Sequence, residues 1–270
     1  MVQCHEQITV GRRLRAMVVS GYTLLETSYP PNLRIPPHYH ERSNLTIVLA
    51  GSLEETAGRS RQSCGPGSVV VKPAGTVHDN HFGPSGARTF VLELPSHDGK
   101  PAFSRWASYE WLFGGVFARA LIRILLAMRR TDAGGAHEVD EEILYLLSLM
   151  RPTDQREHST QDPPAWLSQV RERLRDAPAH RADVRSLAVE AGVHPVYLAR
   201  AFRRFYGATM TTYVHELRVQ RAAHALSAGR GSLAETAIEQ GFADQPHFCR
   251  VFKDHMGVTP GEFRRAARGT

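Results

Sequence analysis

A chain of 270 residues, 42% hydrophobic and 22% charged, is long enough for two ordinary domains and too apolar to be disordered. Its apolar runs, LTIVLA (Leu45–Ala50) and ALIRILLAM (Ala120–Met128), fall short of a bilayer span, and MVQCHEQITVGRRLR lacks an export pattern, so we expect a cytoplasmic protein with no membrane partner. The net charge of +6 is unevenly placed: residues 165–270 hold 16 Lys+Arg against 10 Asp+Glu, leaving 17 of each (33 less 16, 27 less 10) in residues 1–164. A neutral front and a modestly basic back fit a sensor joined to a polyanion binder, and exclude a uniformly basic nucleoid-packing protein.

In chain order, the front half reads as strands. TLLETSY (Thr23–Tyr29), LTIVLAG (Leu45–Gly51), SVVVK (Ser68–Lys72) and RTFVLEL (Arg88–Leu94) are short, rich in β-branched or aromatic residues, and bounded by Pro, Gly or Asn. Such spacing predicts a sandwich or barrel. Cys4, Cys64 and Cys249 lie far apart with no CxxC spacing and read as ordinary thiols of a reducing compartment.

Helical periodicity is expected from about residue 104. In WLFGGVFARALIRILLAM the apolar set Phe117, Leu121, Ile124, Leu125 and Met128 follows one helix face, and VDEEILYLLSLM (Val139–Met150) predicts a second helix. These two helices are apolar enough to need a partner, either their own sheet or a second subunit, and we expect a homodimer through them. The polar, proline-bracketed stretch from Pro152 to Pro164 reads as a linker. The expected division is therefore a strand-rich domain over 1–103, helices over 104–151, the linker over 152–164 and a basic domain over 165–270.

Behind the linker the chain repeats itself. AFRRFYGAT (Ala201–Thr209) returns as VFKDHMGVT (Val251–Thr259), and LAVEAGV (Leu187–Val193) returns as TAIEQGF (Thr236–Phe242). Each copy predicts a short helix, a glycine turn and a second helix, over about 184–206 and 233–256. Ala188 and Ala237 are small where the helices must approach, and Gly192 and Gly241 stand where the chain must turn sharply. Pro195 and Pro246 fall in the first turn of each second helix, where a missing N–H does no harm. Ser232 with Glu235, and Thr259 with Glu262, have capping-box spacing.

Leu198, Ala201, Phe202 and Phe205, matched by Phe248, Val251, Phe252 and His255, form the inner faces. The candidate DNA-facing residues are Pro195, Val196, Ala199, Arg200, Arg203 and Arg204 in the first copy. In the second they are Gln245, Pro246, His247, Arg250 and Lys253, with Asp254 on the same face. Arginine on such a helix bridges guanine O6 and N7 or holds a phosphate. Between the copies, TYVHELRVQRAAHALSAG (Thr212–Gly229) predicts one helix with Val214, Leu217, Ala222 and Leu226 inward. About 16 residues give a rod of roughly 24 Å, which can hold two recognition helices near one duplex turn apart.

From Trp166 to Arg264 these residues resemble the DNA-binding region of the AraC/XylS transcriptional regulators, most diagnostically in AETAIEQGFADQPHFCRVFKDHMGVTPGEFRR. Phe263 stands where that family usually has tyrosine. The resemblance implies paired helix-turn-helix units reading two consecutive major grooves, RNA polymerase as a partner, transcriptional activation, and an N-terminal cupin barrel that binds an effector and dimerises. The expected fold class is thus α+β in two domains. The first is a cupin-like β-barrel (double-stranded β-helix) with following helices; the second is an all-α pair of helix-turn-helix units joined by a linker helix.

The front half agrees with that expectation. PPHYHERSNLTIVLAG places His38 and His40 on one face of a strand, and GSVVVKPAGTVH (Gly67–His78) matches the second cupin motif in full. His38, His40 and His78 are the three histidines a divalent metal would take in such a barrel. The glutamate of the first motif falls at Asn44 and the closing asparagine of the second at Phe82; Glu41 is out of register, and His81 and Glu93 are weaker candidates. Two contents of the barrel stay open: an organic effector lined by His38, His40, Asn44 and His78, with no required cofactor, or a three-histidine metal site. The function expected is an effector-responsive, sequence-specific regulator of transcription, not an enzyme; the alternative is a metal-dependent cupin enzyme fused to a DNA-binding domain, against which Asn44 argues.

Overall fold

The computed structural model describes residues 10–95, 109–130, 133–149, 162–178, 184–229 and 231–268. Most of the expected linker (152–161), Cys4 and the expected helix start at 104–108 lie outside them. Packing divides the chain into two compact units. One joins Met1–Pro152 with Ala223–Arg230 and Phe252–Thr270; the other joins Thr153–Ala222 with Gly231–Val251.

In the first unit eight strands form one antiparallel sheet: β1 (Arg12–Val19), β2 (Tyr22–Tyr29), β3 (Arg34–His38), β4 (Asn44–Ala57), β5 (Ser60–Cys64), β6 (Ser68–Lys72), β7 (His78–Glu93) and β8 (Glu110–Phe113). The order is β1-β2-β7-β4-β6-β8, with β3 also on β7 and β5 also on β4. The long pair β4–β7 is the spine, from Asn44↔Glu93 to Ala57↔His78, with register shifts between Val48 and Ala50 and between Gly51 and Leu53. Bulges of this kind bend a strand and restart its alternation.

Asn44 to Leu49 are buried without a break, so both faces of the sheet are covered there. One face holds a cluster of Ile35, Val48, Leu53, Cys64, Val70, Phe82 and Ala87, with Tyr109 and Trp111 of β8 packed on it. Behind the other face lies helix α1 (Gly115–Met128), whose Ala118, Ala120, Leu121, Ile122, Ile124 and Leu125 are all buried. Helix α2 (Ala133–Leu149) packs on α1 and buries Val139, Ile143 and Leu146, while Leu144 remains 66% exposed.

The helix expected to include WLFGG begins later. Trp111–Phe113 belongs to strand β8, paired with Ser68–Val70, and Gly114 and Gly115 at φ of 61° and 68° break the chain before α1 starts. The aromatic side chains of Tyr109 and Trp111 are thereby drawn onto the sheet.

Helices α3 (Ala165–Asp176), α4 (Val184–Glu190), α5 (Pro195–Tyr206), α6 (Met210–Ser227), α7 (Leu233–Glu239), α8 (Gln245–Met256) and α9 (Pro260–Arg268) complete the chain. In the second unit Leu167, Val170 and Leu174 of α3 pack with Leu187, Ala188, Leu198, Ala201, Phe202, Met210 and Val214. No helix among the described residues is long and apolar enough to cross a membrane.

Two glycines at similar positive φ separate conformational strain from steric exclusion. At Gly192 (φ 65°) a Cβ meets open space, whereas at Gly51 (φ 73°) it runs into the carbonyl oxygen of Gly86 on β7. Gly192→Ala is expected to cost about 1 kcal/mol, the left-handed penalty alone. Gly51→Ala is expected to cost more, because the β4–β7 spine must also shift. Urea unfolding of the two variants ranks them, and equal losses would show that the spine gives way without cost.

Candidate DNA-binding and effector sites

The two helix-turn-helix copies are built by the same local chemistry. Helix α4 ends with Gly192 N–H donating to Val189 O (3.1 Å) and Val193 N–H to Ala188 O (2.9 Å). Helix α7 ends with Gly241 N–H donating to Ile238 O (3.0 Å) and Phe242 N–H to Ala237 O (2.9 Å). Both are Schellman turns, which need a left-handed residue, and both glycines supply one at φ 65° and 78°. Ala188 and Ala237 are fully buried where the second helix crosses.

Each recognition helix is then capped. His194 Nδ1 accepts from Val196 N–H at 3.3 Å, and Asp244 Oδ1 accepts from His247 N–H at 2.7 Å. Both helices close on a glycine, Gly207 (φ 70°) and Gly257 (φ 72°), whose N–H groups return to Arg203 O and Lys253 O. The likeness runs one helix further than the sequence suggests: Phe202 meets Tyr213 and Phe252 meets Phe263, each pair edge-on at 5.6 Å with ring planes at 61° and 65°. The expected capping boxes form at Ser232–Glu235 and Thr259–Glu262, and the hydrogen bonds from Ser232 hold the Glu235 carboxyl below its ordinary range.

The inner faces close at six of the eight expected positions, Phe205 and His255 being only half-buried. Leu198, Phe202, Phe248 and Phe252 are fully buried, and Met256, absent from the expected set, is buried with them. Outside, Val196, Ala199, Arg200, Arg203 and Arg204 are exposed on α5, with Pro195 half-buried. On α8, Gln245, Pro246, Arg250 and Lys253 are exposed. His247 is half-buried, its ring 5.6 Å from Phe242 and 5.9 Å from His215, so its position is set by aromatic neighbours.

On the sheet, strand pairing brings the three histidines together. His38 ends β3 directly opposite His78, which starts β7, and His40 follows two residues on. Their ring centroids lie 4.4 to 5.2 Å apart, and one nitrogen from each falls within 4.8 Å of the others. His38 Nδ1 lies 2.9 Å from Pro36 O and His78 Nδ1 lies 3.0 Å from Thr76 O. A carbonyl only accepts, so both Nδ1 atoms carry the proton. Burial, reinforced by the Lys72 ammonium, pushes His40 and His78 down to about 3, and burial lowers His38 as well. The rings are therefore neutral at pH 7, and Nε2 of His38 and of His78 is a bare lone pair.

Residues not anticipated complete this face. Glu55 is fully buried; its Oε1 accepts from Lys72 Nζ at 2.5 Å and Asn80 Nδ2 at 2.7 Å, and lies 3.9 Å from His78 Nε2. Tyr109 stands 5.5 Å from His78 and Trp111 stands 5.0 Å from Tyr109. Among the described residues, buried Glu55 Oε2, His78 Nε2, Tyr109 Oη and Trp111 Nε1 make no well-formed hydrogen bond, although the Tyr109 hydroxyl lies close enough to the Glu55 carboxylate for that charge to raise its pKa further, beyond the effect of burial. Such atoms are rare in a packed interior and are the kind a ligand satisfies. Asn44 is buried at the head of β4, opposite Lys72, with its Oδ1 taken by Thr46 Oγ1 at 3.1 Å. Alternation in LEETA was the available signal for Glu55: it shares the face of Leu53.

Comparison with known proteins agrees with both halves. Residues 20–147 match the AraC-like ligand binding domain family, and residues 187–266 match a helix-turn-helix domain family. "Probable transcription factor PqrA" of Proteus vulgaris is 35% identical over 79 residues, 29% of this chain, and the matched part spans 65% of that protein. The "Arabinose operon regulatory protein" of Salmonella typhimurium is 26% identical over 239 residues, 82% of each chain. Among solved structures, fatty-acid-bound ToxT of Vibrio cholerae is 12% identical, covering 93% of this chain and 98% of that one, with a TM-score of 0.38. A ligand-binding domain of the AraC type followed by paired helix-turn-helix units makes this chain a member of the AraC family of transcription regulators.

Proposed function

We propose that the chain binds a specific duplex sequence by laying α5 and α8 in two consecutive major grooves, and that a small molecule on the histidine-bearing face of the sheet controls it. The observation that carries this reading is the repeated Schellman turn. Two helices with buried inner faces leave it at equivalent points, with Arg200 and Arg250 exposed at matching positions. The sheet is read as a cupin-like barrel forming the sensor over 1–103, with 104–151 as the dimerising helices, 152–164 as the linker and 165–270 as the DNA-binding domain. Exposed Leu144 and Tyr145 on α2 support a subunit contact there. RNA polymerase is the protein partner this reading implies, activation its outcome and the cytoplasm its setting.

The effector read most directly from the geometry is a small polar organic molecule. Tyr109 Oη and Trp111 Nε1 can donate to it, and Glu55 Oε2 and His78 Nε2 can accept from it. The histidines favour a second reading. Three neutral imidazoles, two with Nε2 freed by a carbonyl on Nδ1, suit a first-row divalent metal, and His78 Nε2 is otherwise unpartnered. His38, His40 and His78 would hold it, and the ion would supply a Lewis-acidic point for an oxygen or nitrogen ligand. The Lys72 ammonium beside these rings opposes a cation, which ranks the organic effector first.

Arg200→Ala and Arg250→Ala are each expected to cost about 1–3 kcal/mol on a duplex selected from random sequence by the full chain, if each reads a base. An equal loss on unselected duplex would make that arginine a phosphate contact instead. For the sensor, elemental analysis compares the full chain with the His38→Ala/His78→Ala double variant. No metal in either is the expected result; near one ion per chain, lost in the variant, would establish the metal reading in its place.

A further inference from the structure

The side chain of Arg218 does something that no motif assigns. It lies on α6 yet is only 9% exposed, its stem and guanidinium enclosed within the second unit. Its Nε donates to Pro178 O at 2.6 Å, beyond the end of α3, and its Nη1 donates to Gly241 O at 2.7 Å. Gly241 is the left-handed residue of the second Schellman turn. The guanidinium carbon also stands 5.8 Å from the ring centre of Phe242, the next residue.

These contacts form a mechanical chain between the recognition helices. Helix α5 is tied to α6 by the Phe202–Tyr213 pair across the short Gly207 turn. Helix α8 is tied to its own turn by Phe242, which packs 5.2 Å from Phe248 in its first turns. Arg218 joins α6 to that turn at Gly241, four residues before α8 begins. A planar guanidinium with donors in a fixed fork holds two carbonyls at a set angle, which a single ammonium cannot do. Arg221, one turn further on, repeats the device by donating to Arg175 O at 2.9 Å, so α6 grips the end of α3 twice.

We infer that Arg218 is a positioning residue for DNA recognition: by bridging Gly241 O and Pro178 O it sets the distance and phase at which α8 is presented relative to α5. It touches no base in this role; it acts through the turn that launches the second recognition helix. The inference rests on the two-groove reading proposed above.

The test uses the full chain and a duplex selected by it from random sequence, in which the two half-boxes are located by single-base substitution. One base pair is then inserted between them, which turns the second box by about 35° and moves it about 3.4 Å. Wild-type protein should lose about tenfold or more in affinity, the scale of one wrong base pair. Arg218→Lys and Arg218→Met, checked for native circular dichroism and corrected for active fraction, should bind the two spacings within about threefold of each other, a gap near 0.7 kcal/mol. Their response to substitution within either box should be retained.

A purely structural role would lower thermal stability and leave the spacing preference intact, and that result would overturn the proposal. So would failure of both variants to fold, which would make Arg218 a folding residue. A selected site with one box, or a wild-type protein indifferent to spacing, would overturn the two-groove reading itself, and the positioning role with it.

Discussion

Each half of the DNA-reading apparatus depends on one backbone constraint: a residue in the left-handed region at the end of a seven-residue helix. Helices α4 and α7 are each two turns long, well below the length at which a helix persists alone. They stand because their last carbonyls are satisfied by the Schellman bonds and because Ala188 and Ala237 are sealed beneath a second helix. The turn that satisfies those carbonyls also aims the next helix. Stability and direction come from the same two hydrogen bonds, so a residue that leaves the left-handed region at either glycine loses both together.

The sensor half follows a different logic. The centre of its sheet is closed against water on both faces, yet one face carries Glu55, Lys72, Asn80 and His78 among Val48, Leu53, Val70 and Phe82. Burying a charged pair of this kind is seldom the most stable choice for a core, since well-packed apolar residues often do as well or better. The arrangement makes sense where polar groups must be held ready for something else. Lys72 and Asn80 both bind Oε1 of Glu55, which fixes the carboxylate while leaving Oε2 unpartnered among the described residues. Carbonyls fix two of the histidine rings in the same sense. The face is preorganised, and preorganisation lowers the ordering cost of binding.

Legibility in the sequence tracked how local each cause was. The helix-turn-helix copies were readable because caps, turns and inner faces are all set within a dozen residues, and the repeat displayed the pattern twice. Strands β2 and β6 were readable from β-branched runs. Strand β1 was hidden because RRLRAMVV carries arginines where a core strand carries apolar residues, and β3 because RIPPH contains two prolines. The first half of β7, HDNHFGPSGA, is written in turn residues and is held as a strand by β4. Trp111 to Phe113 looked helical because the apolar run continues without a break into α1, and only the paired glycines mark the change. In the site, the spacing of three histidines was legible. Glu55 and Lys72 were not, since an acid and a lysine on a strand read as solvated until the partner strand is known.

Arg218 shows where local reading ends. On a helical wheel it is one more basic residue of a basic domain, next to inward-facing Leu217. What distinguishes it is a pair of carbonyls 40 residues before it and 23 after it, and no short window contains both. Two recognition helices can each be specified by their own turns and still be useless together, because a duplex offers its successive grooves at one spacing and one phase. Local rules make each reader; a contact distant in sequence must make the pair. A buried arginine is suited to that task, since its fork fixes an angle as well as a distance, and its burial charges a desolvation cost to any arrangement in which the carbonyls are not in place.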